Sequence, residues 1–107
     1  MDALGATLAA AADPTRRSIL RRLAGGPASV SELARPFRMS QQAVSKHLVH
    51  LERARLIEKR RRGRMHICVL RPEPLKELAA WVEGYRQFWE TRFRNLDALL
   101  QEMKRKR

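Results

Sequence analysis

Residues 40–51 read SQQAVSKHLVHL, and the rest of the chain is organised around them. Val44, Leu48 and Leu51 recur at i, i+4 and i+7, one narrow apolar stripe of a helix. At about 100° per residue the opposite face carries Gln42, Lys46 and Val49, then Arg53, with Ser45 beside them. Ser40 stands just ahead as an N-cap whose hydroxyl accepts a backbone N–H. Amides, a hydroxyl and a cation on an exposed helix face are the side chains that read base edges in a DNA major groove. An ordinary surface helix would look the same in isolation, so the neighbours decide.

Upstream, SVSE at residues 29–32 is a capping box, with Glu32 three residues after Ser29. It opens a short helix to about Phe37 that buries Leu33, Ala34 and Phe37, with Pro36 limiting its length. Arg38-Met39 turns the chain into the Ser40 helix. Two short helices joined by about three to four residues form a helix-turn-helix. Before it, residues 3–12 put Leu4, Leu8 and Ala11 on one helical face. Asp13-Pro14 then starts a second helix, Asp13 as cap and Pro14 as first residue. That helix buries Ile19, Leu20 and Leu23 and stops at Gly25-Gly26-Pro27.

Downstream the period changes. Residues 57–62 and 64–70 alternate around the turn signal Arg62-Gly63, which predicts a two-stranded hairpin. Its tip gathers Lys59, Arg60, Arg61, Arg62 and Arg64. These cations repel one another unless water or a polyanion screens them, and next to a helix-turn-helix they read as a phosphate clamp. Such contacts add affinity and little sequence information. Pro72 and Pro74 close the hairpin. Residues 75–103 then predict one continuous helix, roughly 43 Å long. Leu78, Val82, Tyr85, Trp89, Leu96 and Leu99 lie in alternating steps of three and four, broken only at Arg92, and Trp81 and Phe88 widen that stripe. The domain is too small to cover such a face, so a second copy of the chain is the expected partner. The last four residues, KRKR, are expected to be disordered.

The chain has 107 residues and a formal net charge of +12, which suits one domain with a polyanionic partner. Residues 1–71 hold 15 Lys/Arg against 5 Asp/Glu, and residues 72–107 hold 8 against 6. The first part therefore binds and the second assembles. The single cysteine, Cys68, has no internal disulfide partner, which fits a reducing compartment. No signal peptide and no apolar run near the length of a membrane span are evident, so the expectation is cytoplasmic, with no membrane partner. His66 and Cys68, at i, i+2, are too few ligands for a metal site. His47 and His50 are likewise not read as ligands. Cys68 is read as an apolar strand residue rather than a redox sensor, which would need a lowered pKa. No nucleophile–base–orienter set, phosphate loop or carboxylate pair stands out, so neither catalysis nor a cofactor is expected.

The expected fold is mainly α: a winged helix-turn-helix with a hairpin wing and a long C-terminal dimerisation helix. Its parts are N-terminal helices at 1–24, helix-turn-helix at 29–54, wing at 57–70, dimerisation helix at 74–103 and basic tail at 104–107. In this order, ADPTRRSIL (12–20), SVSELA (29–34) and MSQQAVSKHLVHLERARLIEKRRRGR (39–64) resemble the ArsR/SmtB family of bacterial repressors. WVEGYRQFWETRFRNLDALL (81–100) resembles its metal-independent, autorepressor-like branch. The resemblance implies a homodimer on a double-stranded DNA operator, with first and last helices at the interface, hence Leu4 and Leu8 beside the C-terminal stripe. It implies that residues 40–54 enter the major groove and the wing lies on backbone or in the minor groove. Matching motif positions carry DNA contact to Gln42, Ser45 and Lys46, and to Ser40, Gln41 and His47; Lys46 reads a base or binds a phosphate. Any small-molecule or protein effector is unreadable.

Three positions depart from the family pattern. Val49 stands where Lys is usual and is suited to a thymine methyl. His50 stands where the family has an apolar residue, and Arg55 where it has Gly at a helix end. Either Arg55 takes up a left-handed backbone or the helix ends one residue later. The family's metal sensors carry a Cys pair in the helix matching residues 31–37 and His and Asp ligands on the last helix. Here the first segment has no Cys, and residues 75–103 hold Asp97 but no His. A non-specific basic nucleic-acid binder is the other class of function; preference for one palindrome over bulk DNA separates the two.

Overall fold

A computed structural model describes residues 2–106. Helix α1 (Ala3–Ala11) is capped by Asp2, and α2 (Pro14–Ala24) by Asp13, whose Oδ2 accepts the Arg16 N–H at 2.9 Å. The two arginines after Asp13-Pro14 turn back on α1. Arg16 Nε donates to the Ala10 carbonyl at 2.6 Å, and Arg17 to those of Ala11 and Ala12 at 2.8 and 3.0 Å. They satisfy carbonyls that a helix end leaves without partners, with positive charge at the negative end of the dipole. The junction between the first two helices is thus built by one short motif.

Strand β1 (Ala28–Ser29) leads into α3 (Val30–Ala34), and the capping box closes as read: Ser29 Oγ accepts the Glu32 N–H at 3.2 Å. Helix α3 is shorter than expected. Arg35–Phe37 continues as a 3₁₀ turn, with Phe37 only half-buried, because the Pro36 ring removes the donor an α-helix would need. Helix α4 (Gln41–Arg53) follows, capped by Ser40. Strands β2 (Ile57–Arg62) and β3 (Met65–Leu70) pair in register from Ile57↔Leu70 to Arg62↔Met65. Gly63 opens the intervening loop at φ +63°, a backbone that favours glycine. The expected two-stranded wing is part of a three-stranded antiparallel sheet of order β1-β3-β2, because Ala28 and Ser29 pair with Cys68 and Ile67. A two-residue strand made of an alanine and a capping serine gives no alternation to read.

The core lies between α2, α3, α4 and the sheet: Ile19, Leu23, Leu33, Val44, Leu48, Leu51, Leu56 and Cys68 are all buried. On α1, Thr7 and Ala10 face inward and Leu8 is exposed. Helix α4 ends in a Schellman motif. The Leu56 N–H reaches the Leu51 carbonyl and the Arg55 N–H that of Glu52, both at 3.0 Å, with Leu56 buried against the core. Arg55 sits at the left-handed position with φ +60°. Of the two readings of Arg55, the left-handed one holds.

The C-terminal helix is not continuous. It divides into α5 (Glu73–Glu83), which lies against α1, and α6 (Arg86–Arg105), separated by Gly84-Tyr85. Glycine costs about 1 kcal/mol relative to alanine inside a helix, and the break falls there. Lys104 and Arg105 belong to α6 rather than to a disordered tail; Arg107 lies outside the described residues. Basic residues complement the negative end of the helix dipole, which favours the added turn.

Candidate nucleic-acid interface

Helix α4 presents two unlike faces. Val44, Leu48 and Leu51 are wholly buried and fix its orientation. Gln41, Gln42, Lys46, Val49, His50 and Arg53 are exposed, and Ser45 is half-buried among them. The Ala43 N–H bonds to Ser40 Oγ at 3.1 Å, so the cap hydroxyl is committed to the helix start. Arg38 holds the preceding turn at φ +52°. That left-handed turn brings α3 and α4 together, and no glycine or asparagine marked it in the sequence.

His47 lies apart from the outward set. Its Nδ1 is 3.8 Å from Asp13 Oδ2, the oxygen that caps α2. The backbone N–H of Arg16, more than any neighbouring charge, holds the Asp13 carboxyl below its usual range. Asp13 thereby joins the α1–α2 junction to the helix that carries Lys46.

The wing cations also divide. Arg60, Arg61, Arg62 and Arg64 are exposed, whereas Lys59 is half-buried and pairs across the sheet with buried Cys68. Arg61 Nε donates to the Gly63 carbonyl at 3.2 Å, which steadies the loop. Burial pushes the Cys68 thiol up, so it is no reactive thiolate. Among the described residues, no group of three or more His, Cys, Asp or Glu is placed to hold a metal ion. Sequence reasoning missed Glu58 and Arg71, whose side chains meet at 3.1 Å beneath the wing. The strand register could have found them, since it sets Glu58 opposite Val69, two residues before Arg71.

A second surface lies on α5 and α6. Leu4 and Leu78 are half-buried, and Leu8, Trp81, Val82, Tyr85, Phe88, Trp89, Leu96 and Leu99 are exposed. The Trp81 and Tyr85 rings meet edge to face at 5.6 Å, and the Arg92 guanidinium lies 4.1 Å from the centre of Phe88. No described helix is long and apolar enough to cross a membrane.

A family model described as a helix-turn-helix domain matches residues 11–60. The HTH-type transcriptional regulator Rv2034 of Mycobacterium tuberculosis is 44% identical over 80 residues, covering 75% of this chain and 72% of that protein. The transcriptional repressor SdpR of Bacillus subtilis is 34% identical over 76 residues, covering 71% of this chain and 84% of that protein. A crystal structure of an ArsR family transcriptional regulator matches with a TM-score of 0.76 at 40% identity, covering 83% of this chain and 98% of that one.

Proposed function

The chain belongs to the ArsR family of DNA-binding transcriptional regulators, which are not enzymes, and from that premise we propose that it is a cytoplasmic repressor acting as a homodimer on an inverted-repeat operator. The observation that carries the proposal is the split of α4: an apolar side locked into the core and an amide-and-cation side left to solvent. In this reading Gln42, Ser45 and Lys46 meet base edges, with Gln41 and Ser40 at the groove entrance and Val49 suited to a thymine methyl. His47 contributes by fixing α4 on Asp13. Arg60, Arg61, Arg62 and Arg64 supply phosphate contacts, and Lys59 steadies the root of the wing.

The whole chain works as one winged helix-turn-helix unit, and a second copy covers the α5–α6 stripe together with Leu4 and Leu8 of α1. A two-fold dimer places two recognition helices on half-sites about 34–36 Å apart, one turn of DNA. With no Cys or His between residues 30 and 37, the regulator belongs to the metal-independent branch. Stoichiometric Zn²⁺ or arsenite leaves the DNA complex intact; release that a His66→Ala/Cys68→Ser variant abolishes would contradict this.

Anisotropy titrations at several salt concentrations test the DNA reading, using an inverted repeat from beside the protein's own gene and a scrambled duplex. Each phosphate contact contributes about 0.9 to the salt slope. Replacing Arg60, Arg61 and Arg62 with Ala flattens that slope and largely keeps site preference. Gln42→Ala relaxes preference with little change in slope. Equal slopes for wild type and the triple variant would refute the wing assignment. Equal affinity of the wild type for both duplexes would favour a non-specific binder.

A further inference from the structure

Between Arg53 and Pro72 the chain has a single acidic residue, Glu58. It stands on β2 among the wing cations. One of its oxygens, Oε2, accepts from two guanidiniums at once: Arg60 at 3.4 Å and Arg71 at 3.1 Å. Arg71 is well anchored. Its backbone N–H bonds to the Leu56 carbonyl at 2.7 Å, and its Nε lies 3.8 Å from Glu73, the first residue of α5. Arg60 is the looser partner, further from the carboxylate and on the strand that leads to the wing tip. Among the described residues, Arg61, Arg62 and Arg64 meet no carboxylate. The wing therefore carries one guanidinium with a counter-ion and three without.

We propose that Glu58 competes with DNA phosphate for Arg60, and that Arg71 retains the carboxylate when Arg60 is released. The inference rests on the reading that the wing meets DNA. An arginine already paired to a carboxylate gains only the difference between two ion pairs when it turns to a phosphate. An unpaired one gains the whole contact. Arg60 is thus a weaker phosphate ligand than Arg62 in this chain, although the two are chemically identical. Arg71 matters because it keeps Glu58 paired after the exchange, so no bare carboxylate is left facing the DNA. The hydrogen bond from Arg60, reinforced by Arg71, holds the Glu58 carboxyl below its usual range. The consequence is a limit on the sequence-independent part of affinity, which arises from backbone contacts. Glu58 is a positioning residue by this account: it acts through Arg60.

The test is a double-mutant cycle on the full chain with a mixed-sequence DNA duplex as probe. Wild type, Glu58→Gln, Arg60→Ala and the double variant are titrated at several salt concentrations. Glu58→Gln tightens binding several-fold and steepens the salt slope by about 0.9 for each protomer that gains a phosphate. Arg60→Ala weakens binding less in the wild-type background than in the Glu58→Gln background, where the loss is several-fold, so the two changes are not additive. Equal effects of Arg60→Ala with and without Glu58→Gln would show that Glu58 merely repels phosphate, and would overturn the proposal. So would a Glu58→Gln variant that binds no tighter. A wild-type protein that fails to bind the duplex at all would bring down the DNA reading itself, whereas wild-type binding with an additive cycle removes only the role of Glu58.

Discussion

Helices α4 and α6 are written in the same amphipathic code and finished in opposite ways. On α4 the apolar side chains Val44, Leu48 and Leu51 have no exposed surface at all. On α6, Phe88 is 58% exposed, Phe93 64% and Leu99 54%. Helical periodicity states that a face must be covered and does not say by what. For α4 the covering is this chain's own core, which leaves the polar side free to act outward. For α6, about 30 Å long, the chain's own core gives no such cover, and the proposed dimer would supply it. A standard interface removes roughly 800 Å² from each partner, and a self-complementary stripe of aromatic residues is suited to supply it. In the proposed reading, one copy carries a whole recognition helix and a second copy covers α6.

The largest expected effect separates the two helices directly. Trp89→Ala should weaken dimerisation by about 3–5 kcal/mol if a partner fully covers each ring. Leu48→Ala should cost about 2–5 kcal/mol of folding stability. Sedimentation at micromolar concentration and urea unfolding, run on both variants, distinguish loss of the partner from loss of the fold. A wild type that sediments as a monomer would break the comparison, because α6 would then remain uncovered.

A smaller effect concerns the junction on which α4 rests. Asp13 caps α2 and faces His47, so Asp13→Ala should destabilise by about 0.5–2 kcal/mol near neutral pH. The sign with pH follows from the lowered carboxyl. A carboxylate favoured in the folded state contributes fully above its unfolded pKa and ceases to contribute as pH falls through its folded pKa. The deficit of the Ala variant should therefore shrink as pH drops below the ordinary aspartate value of 3.8. Urea midpoints at neutral and acid pH check this; a deficit unchanged by pH would assign the cost to packing instead of the charged cap.

Much of this was legible in residue order because the signals are local. Ser40, Asp13 and the Ser29–Glu32 box each act within a single turn, and each caps the helix assigned to it. The stripe of α4 was readable because it is buried by its own chain. What the sequence did not disclose depends on distance. Strand β1 exists only because β3 arrives beside it, and Glu58 meets Arg71 only through the hairpin register. The break at Gly84 needed more than a single glycine as evidence, since one glycine is tolerated in many helices. His47 was readable as a polar residue on α4, but its approach to Asp13 depends on how α2 crosses that helix. Within the candidate site, helical spacing indicated which side chains point outward, and only the packed structure separates Lys59 and His47 from the rest.

The smallest expected effect bears on how α4 is terminated. Arg55 occupies the left-handed position of the Schellman motif at φ +60°, and among the described residues its side chain meets no carboxylate there. For a residue with a Cβ that backbone costs roughly 1–2 kcal/mol. Glycine removes the strain but loses more entropy on folding, so the net gain from Arg55→Gly should be about 1 kcal/mol. The motif itself survives the change, because its two hydrogen bonds come from backbone N–H groups of residues 55 and 56. Leu56 stays buried in the same core as Leu51, so α4 and β2 keep their relative placement. DNA affinity should then change only by the loss of one exposed charge, while the urea midpoint rises at unchanged slope. A lower midpoint would mean that the Arg55 side chain stabilises the helix end by more than the backbone strain costs, and the end of α4 would have to be counted as held by that side chain.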